Sequence, residues 1–145
     1  MEIKPKIGID NLKFGMSRND VIGILGKADK EIVDPNDKDH LILEWTGKLI
    51  RLVFYKHHND RFAYFRTKNP DISFKGKKII NRNVDDVKKD VFGKLVSEWE
   101  IEDYTSFETH FDEEFWISLE VEYGIVGGFE LGVSYKNDDE YDWPN

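Results

Sequence analysis

The chain contains no cysteine among its 145 residues, so disulfides, thiolate zinc sites and thiol nucleophiles are all excluded. It lacks long apolar runs as well. None approaches the roughly 20 residues that a membrane helix needs. The opening Met1-Glu2-Ile3-Lys4-Pro5-Lys6 leads into no apolar secretion segment, and a lipid anchor would need a cysteine. A cytoplasmic protein without membrane attachment is therefore expected. The common catalytic signatures are missing too: no G-x-S-x-G, no phosphate loop and no H-E-x-x-H. Gly23-x-x-Gly26-Lys27 lacks the rest of a phosphate loop, and a helix with a glycine stop accounts for it better.

Basic residues become scarce along the chain. Residues 1–70 hold 13 Lys/Arg against 10 Asp/Glu, whereas residues 71–145 hold 8 against 19. From Ser97 onward Lys136 stands alone against 15 carboxylates. Nucleic-acid binding needs a basic footprint, so no nucleic acid is expected as ligand. The complement of such a surface is a basic protein.

What is plentiful is aromatic and apolar material in strand-like and helix-like order: ten Phe, six Tyr and four Trp. Ser17 with Asp20 three residues on reads as a capping box, with Met16 and Val21 as its staple and Gly26 as the stop. Strands are expected at 40–45, 48–57 and 61–66. After Asn69-Pro70-Asp71 the order repeats. Asn83 caps a segment with Val84, Val87, Val91 and Phe92, closed by Gly93-Lys94 and holding one residue more than the first. Strands at about 104–111, 115–123 and 128–135 follow. The fold expected is α+β, with two tandem units of one helix plus a three-stranded antiparallel sheet, helices on one face. Residues 1–70 and 71–136 form the two repeats of one compact domain. Residues 137–145 form a polar acidic tail expected to fray.

Period-2 alternation assigns faces. Phe107, Thr109, Phe111, Phe115, Ile117, Leu119, Val121, Tyr123, Phe129, Leu131, Val133 and Tyr135 are expected against the helix. The opposite face would carry Glu108, His110, Trp116, Ser118, Glu120, Glu122, Glu130, Gly132 and Ser134. In the first half, Glu44, Arg51, Tyr55, His57, Tyr64 and Arg66 are placed outward. The candidate partner-binding residues are thus Glu108, His110, Trp116, Glu120, Glu122, Glu130, Tyr55 and Tyr64, with Trp116 as anchor. No cofactor and no metal is expected. The 34–40 turn lacks the glycine and glutamate of a calcium loop. Adjacent His57 and His58 point apart if they lie on a strand.

Residues 12–29, with Gly15, Met16, Ser17, Val21, Leu25 and Gly26, resemble the glycine-methionine-serine helix start of the SmpA/OmlA lipoproteins, with Ala28 where that family usually has proline. A similar helix-plus-sheet unit, in tandem, builds β-lactamase inhibitor proteins. The resemblance implies a protein-binding sheet face. Size, acidity and the lack of catalytic motifs are similar to those of immunity proteins of bacterial polymorphic toxin systems. The expected function is therefore an inhibitor, not an enzyme, that neutralises a basic toxin, a nuclease being the candidate, through an acidic sheet face. The alternatives are a small-molecule-binding protein or enzyme using Glu108 and His110, and an envelope-assembly scaffold. A homodimer through an uncovered sheet edge stays open.

Overall fold

The structure, a computed structural model, describes residues 1–144. Three short antiparallel segments come first: β1 (Ile3–Lys4), β2 (Gly8–Ile9) and β3 (Leu12–Lys13). Helix α1 (Arg18–Leu25) begins as its sequence indicates. Ser17 Oγ accepts from the Asp20 N–H at 3.1 Å, and Asp20 Oδ2 accepts from the Ser17 N–H at 3.4 Å. The helix stops at Gly26, whose φ is +82°. The Gly26 carbonyl accepts the Trp45 indole N–H at 3.2 Å, tethering the helix end to the sheet.

Four strands follow, β4 (Lys30–Val33), β5 (His40–Trp45), β6 (Ile50–Tyr55) and β7 (Arg61–Thr67), then a small hairpin, β8 (Ser73–Phe74) and β9 (Lys77–Lys78). Asn83 caps α2 (Val84–Asp86), its side chain accepting from the Asp85 and Asp86 N–H groups. The helix continues as a π turn over Val87–Val91, with Phe92 N–H donating to Val87 O at 3.2 Å. That wider turn absorbs the one residue by which the second helical segment exceeds the first. Strands β10 (Glu100–Asp103), β11 (Glu108–Asp112), β12 (Ile117–Glu122) and β13 (Ile125–Gly132) complete the chain's regular structure.

Two helix-plus-three-strand units are not what forms. The strands join in one eight-stranded antiparallel sheet, ordered β10-β11-β12-β13-β7-β6-β5-β4, and helix is a minor component. Each half supplies a fourth strand, β4 or β10, at the sheet edge. Both are only four residues long and largely exposed, with two charged residues in β4 and three in β10, so they carry little apolar pattern to announce them. The halves fuse where β13 pairs with β7, from Phe129↔Thr67 to Gly132↔Tyr64. Packing this seam buries Leu131 and Phe65 completely.

The core lies between the sheet and its helical cover. Phe14, just before α1, meets Phe62 at 5.0 Å, and Phe92, at the end of the π turn, stacks on Phe129 at 6.3 Å. Both contacts are on one face of the sheet, and the other face is free of helices.

The described part of the polar tail is folded back on the sheet, and Asn145 lies outside the described residues. Residues 134–142 turn back on themselves, with Asp142 N–H donating to Ser134 O and Lys136 N–H to Glu140 O, both at 2.8 Å. Aromatic burial holds this turn down: Tyr141 lies 4.7 Å from Tyr135 and 5.4 Å from Tyr55.

Candidate binding face

Register decides which side chains share the open face. One row of partners reads Glu100, Phe111, Ser118, Glu130, Arg66, Arg51, Glu44 and Lys30. A second contains Glu102, Thr109, Glu120 and Gly128. A third contains Gly132, Tyr64, Val53 and Ile42. Arg51 and Arg66 are directly opposite, an arrangement that costs energy for like charges unless each finds an acid. Each does. Arg51 Nε donates to Glu44 Oε1, and Lys30 Nζ lies 3.6 Å from Glu44 Oε2. Arg66 Nε lies 3.4 Å from Glu130 Oε2, and its Nη2 lies 3.6 Å from Glu120 Oε2. The Arg51 hydrogen bond holds the Glu44 carboxyl below its ordinary range despite its burial. Burial pushes the Glu130 carboxyl up; Arg66 opposes the shift and Glu120 adds to it.

Glu44, Arg51, Arg66, Glu120 and Glu130 line a cleft of about 410 Å³ at the seam, together with Thr109, Ser118, Leu49 and Phe107. The cleft exists because the sheet forks. Strand β13 pairs with β7 only from Phe129 onward. Its earlier residues turn that edge to another segment, with Asn81 N–H donating to Val126 O and Val126 N–H to Arg82 O. The chain after Thr67 leaves the sheet.

Along the aromatic margin, Trp116 sits in the β11–β12 turn with φ +56°. Its indole lies against Gly132, where a Cβ would come within 2.5 Å of the ring. Phe111 and Tyr135 meet it edge-on at 5.0 and 5.5 Å. Tyr55 stacks on His40 at 4.7 Å and meets Tyr64 at 6.1 Å. Burial pushes the Tyr64 hydroxyl up to about 12 and the Tyr55 hydroxyl higher still. Trp143 meets Arg61 at 5.2 Å in a cation–π contact.

Of the eight residues expected to bind a partner, Glu120 and Glu130 meet at the seam cleft, and Tyr55, Tyr64 and Trp116 share the aromatic margin. Glu122 is exposed beyond them, beside the β12–β13 turn. Glu108 and His110 are a correction: both lie on the opposite, helix-side face. Glu108 pairs with Val121 and His110 with Leu119, while Thr109 and Phe111 face outward beside Glu120 and Ser118. The two aromatics, Phe107 and Phe111, suggested the wrong phase, and a one-residue slip reverses a whole strand. The polar residues are tolerated at the core's margin by mutual pairing. His110, only 4% exposed, lies with Nε2 3.0 Å from Glu108 Oε1, and Asp112 accepts from the Phe115 N–H. Among the described residues no set of three His, Asp or Glu side chains converges as a metal site.

Sequence reasoning left Tyr141 and Trp143 as a docking peg or a frayed end, did not single out His40, and placed Tyr135 with the core, whereas all four lie along the aromatic margin. The tail's two aromatics among acids were the available signal. It also missed Leu49 and Phe107 as cleft walls, which only the fork brings together.

No protein-family model and no curated protein sequence matches the chain. Among solved structures, an extracellular protein containing an SCP domain from Bacillus anthracis str. Ames is similar, with TM-score 0.51 and 10% identity over 81% of this chain and 43% of that one. The chain spans less than half the length of that protein, and the likeness is one of fold.

Proposed function

We propose that this chain is a protein-binding inhibitor that neutralises a basic partner, as an immunity protein neutralises a toxin domain, by seating it on the open face of the sheet. The observation that carries the reading is the carboxylate field of the β10–β13 half. Glu100, Glu102, Glu120, Glu122 and Glu130 project from the uncovered face, and Arg66 at the seam is the cation paired with two of them. A field of one sign draws in a partner of the other and raises its association rate. A nuclease presents a basic cleft to phosphates, and carboxylates can occupy it in their place. Trp116, Tyr64 and Tyr55 at the margin supply the aromatic contacts on which interfaces depend. The SmpA/OmlA resemblance of residues 12–29 rests on a turn, a cap and a helix stop, and carries no partner chemistry of its own.

The test uses the chain as bait beside a Glu102→Lys, Glu122→Lys double variant, both exposed positions, after circular dichroism shows equal folding. Wild type is expected to retain a basic protein that salt elutes. The variant loses that protein, and the reconstituted pair suppresses the retained protein's activity. Equal retention by both baits, or a partner indifferent to salt, sinks the proposal.

A further inference from the structure

We propose that the cleft at the seam is a receptor for one basic side chain, a partner lysine or arginine whose charged end enters between Glu120 and Glu130. The inference deepens the reading above and takes from it that the occupant belongs to a protein.

Four observations converge. The first is space. The fork leaves about 410 Å³ in the middle of an otherwise continuous sheet face, ample for one long side chain. Gly128 helps to open it, since a Cβ there would lie 2.9 Å from Glu120 Oε2. The second is charge. Arg51 is committed to Glu44, which also holds Lys30. Arg66 is divided between Glu120 and Glu130 at 3.6 and 3.4 Å, both too long for strong charge-assisted hydrogen bonds. Two carboxylates thus share one guanidinium. Lys68 also lines the cleft, yet forms no ion pair with any of its carboxylates among the described residues. The third is hydration. The Glu130 side chain keeps only about a third of its exposure, and burial pushes its carboxyl up against the pull of Arg66. An arriving cation would supply what Arg66 alone does not.

The fourth is the wall. Leu49, 53% exposed, and Phe107 present apolar surface beside the carboxylates. Lysine and arginine have that dual character, an aliphatic stem and a charged head. Phe107, whose ring also stacks on Tyr104, adds apolar surface for the stem.

The test needs no identified partner. The 15N-labelled chain is titrated with the methylamides of Nα-acetyl-lysine and Nα-acetyl-arginine. The methylamide of Nα-acetyl-norleucine serves as the neutral stem, and cadaverine as a free diamine. The basic amides are expected to shift the backbone amides of Ser118, Glu120, Gly128 and Glu130 at millimolar concentration, the range such fragments reach. The norleucine amide should leave them in place. Glu120→Gln with Glu130→Gln should weaken binding about tenfold, as loss of a charged partner implies. Gly128→Ala, which displaces the Glu120 carboxylate, should weaken it too. The spectrum of each variant reports its own folding. Equal shifts with norleucine, or none with the basic amides, overturn the proposal, and much tighter binding of cadaverine overturns the side-chain occupant. If the basic amides bind but Glu102→Lys, Glu122→Lys leaves capture unchanged, the cleft stands and the acidic-face reading falls. The converse removes the cleft and keeps the face.

Discussion

Glu130 shows how one residue couples the face to pH. Its folded carboxyl titrates above the ordinary 4.5, so the folded protein holds that proton longer than the unfolded chain does. Stability from this group is therefore present at low pH and declines as pH rises from the ordinary value through the raised one. Glu130→Gln should remove that decline, giving a higher melting temperature than wild type at neutral pH and a smaller gap in acid. Glu44 has the opposite sign: its lowered carboxyl confers stability that is lost as pH falls through its folded value. Melting curves of Glu130→Gln and Glu44→Gln across the acid range would expose either sign if it were wrong. Trp116 is a different case. It leans on Gly132 and two aromatic rings but is only half-buried. Trp116→Ala should cost about 2 kcal/mol in denaturant unfolding, below the roughly 3–5 kcal/mol of a fully enclosed aromatic. The residue was recognisable from its place in the sequence. That Tyr135 covers it was not, because alternation placed Tyr135 on the opposite face, against the helix.

At the scale of elements, the cap of α1 could be read from Ser17 and Asp20 because every partner lies within one turn. The edge strands could not, because β4 and β10 are short, exposed segments ordered by pairing with β5 and β11 and hardly by their own burial. The C-terminal turn belongs to the same class. Tyr141→Ala with Trp143→Ala should unlatch it. The Tyr55 hydroxyl, raised chiefly by burial and also by its proximity to Tyr141, should then move back towards 10.0. Ultraviolet titration should show one more tyrosine ionising before alkaline unfolding; an unchanged count would mean that the tail does not cover Tyr55. The π turn places Phe92, which is fully buried against Phe74, Trp99 and Phe129. Phe92→Ala should cost about 3–5 kcal/mol, measurable as a shift in the urea midpoint.

On the scale of the molecule, the seam makes two similar halves into one sheet. Leu131 and Phe65 sit opposite each other across it, both fully buried. The halves should therefore unfold together. Variants that keep only Trp45 or only Trp116 should report the same denaturant midpoint, as cooperative unfolding requires. Midpoints that separate would mean that the seam holds the halves too weakly to couple them. Leu131→Ala should lower both midpoints, by about 2–5 kcal/mol of stability.

Composition and local pattern alone determined several things: the absence of thiol chemistry, the acidic second half, the first helix with its cap and stop, and six of the eight strands of the large sheet. Each depends on residues within a few positions of one another, or on none in particular. Only tertiary structure decided the rest. The fusion of the halves, the phase of β11, the folded tail and the cleft between Glu120 and Glu130 all depend on pairings between residues far apart in the chain. Alternation reveals that a strand has two faces. Which face is covered follows from the register of its neighbours, and a cleft forms only where two strands part.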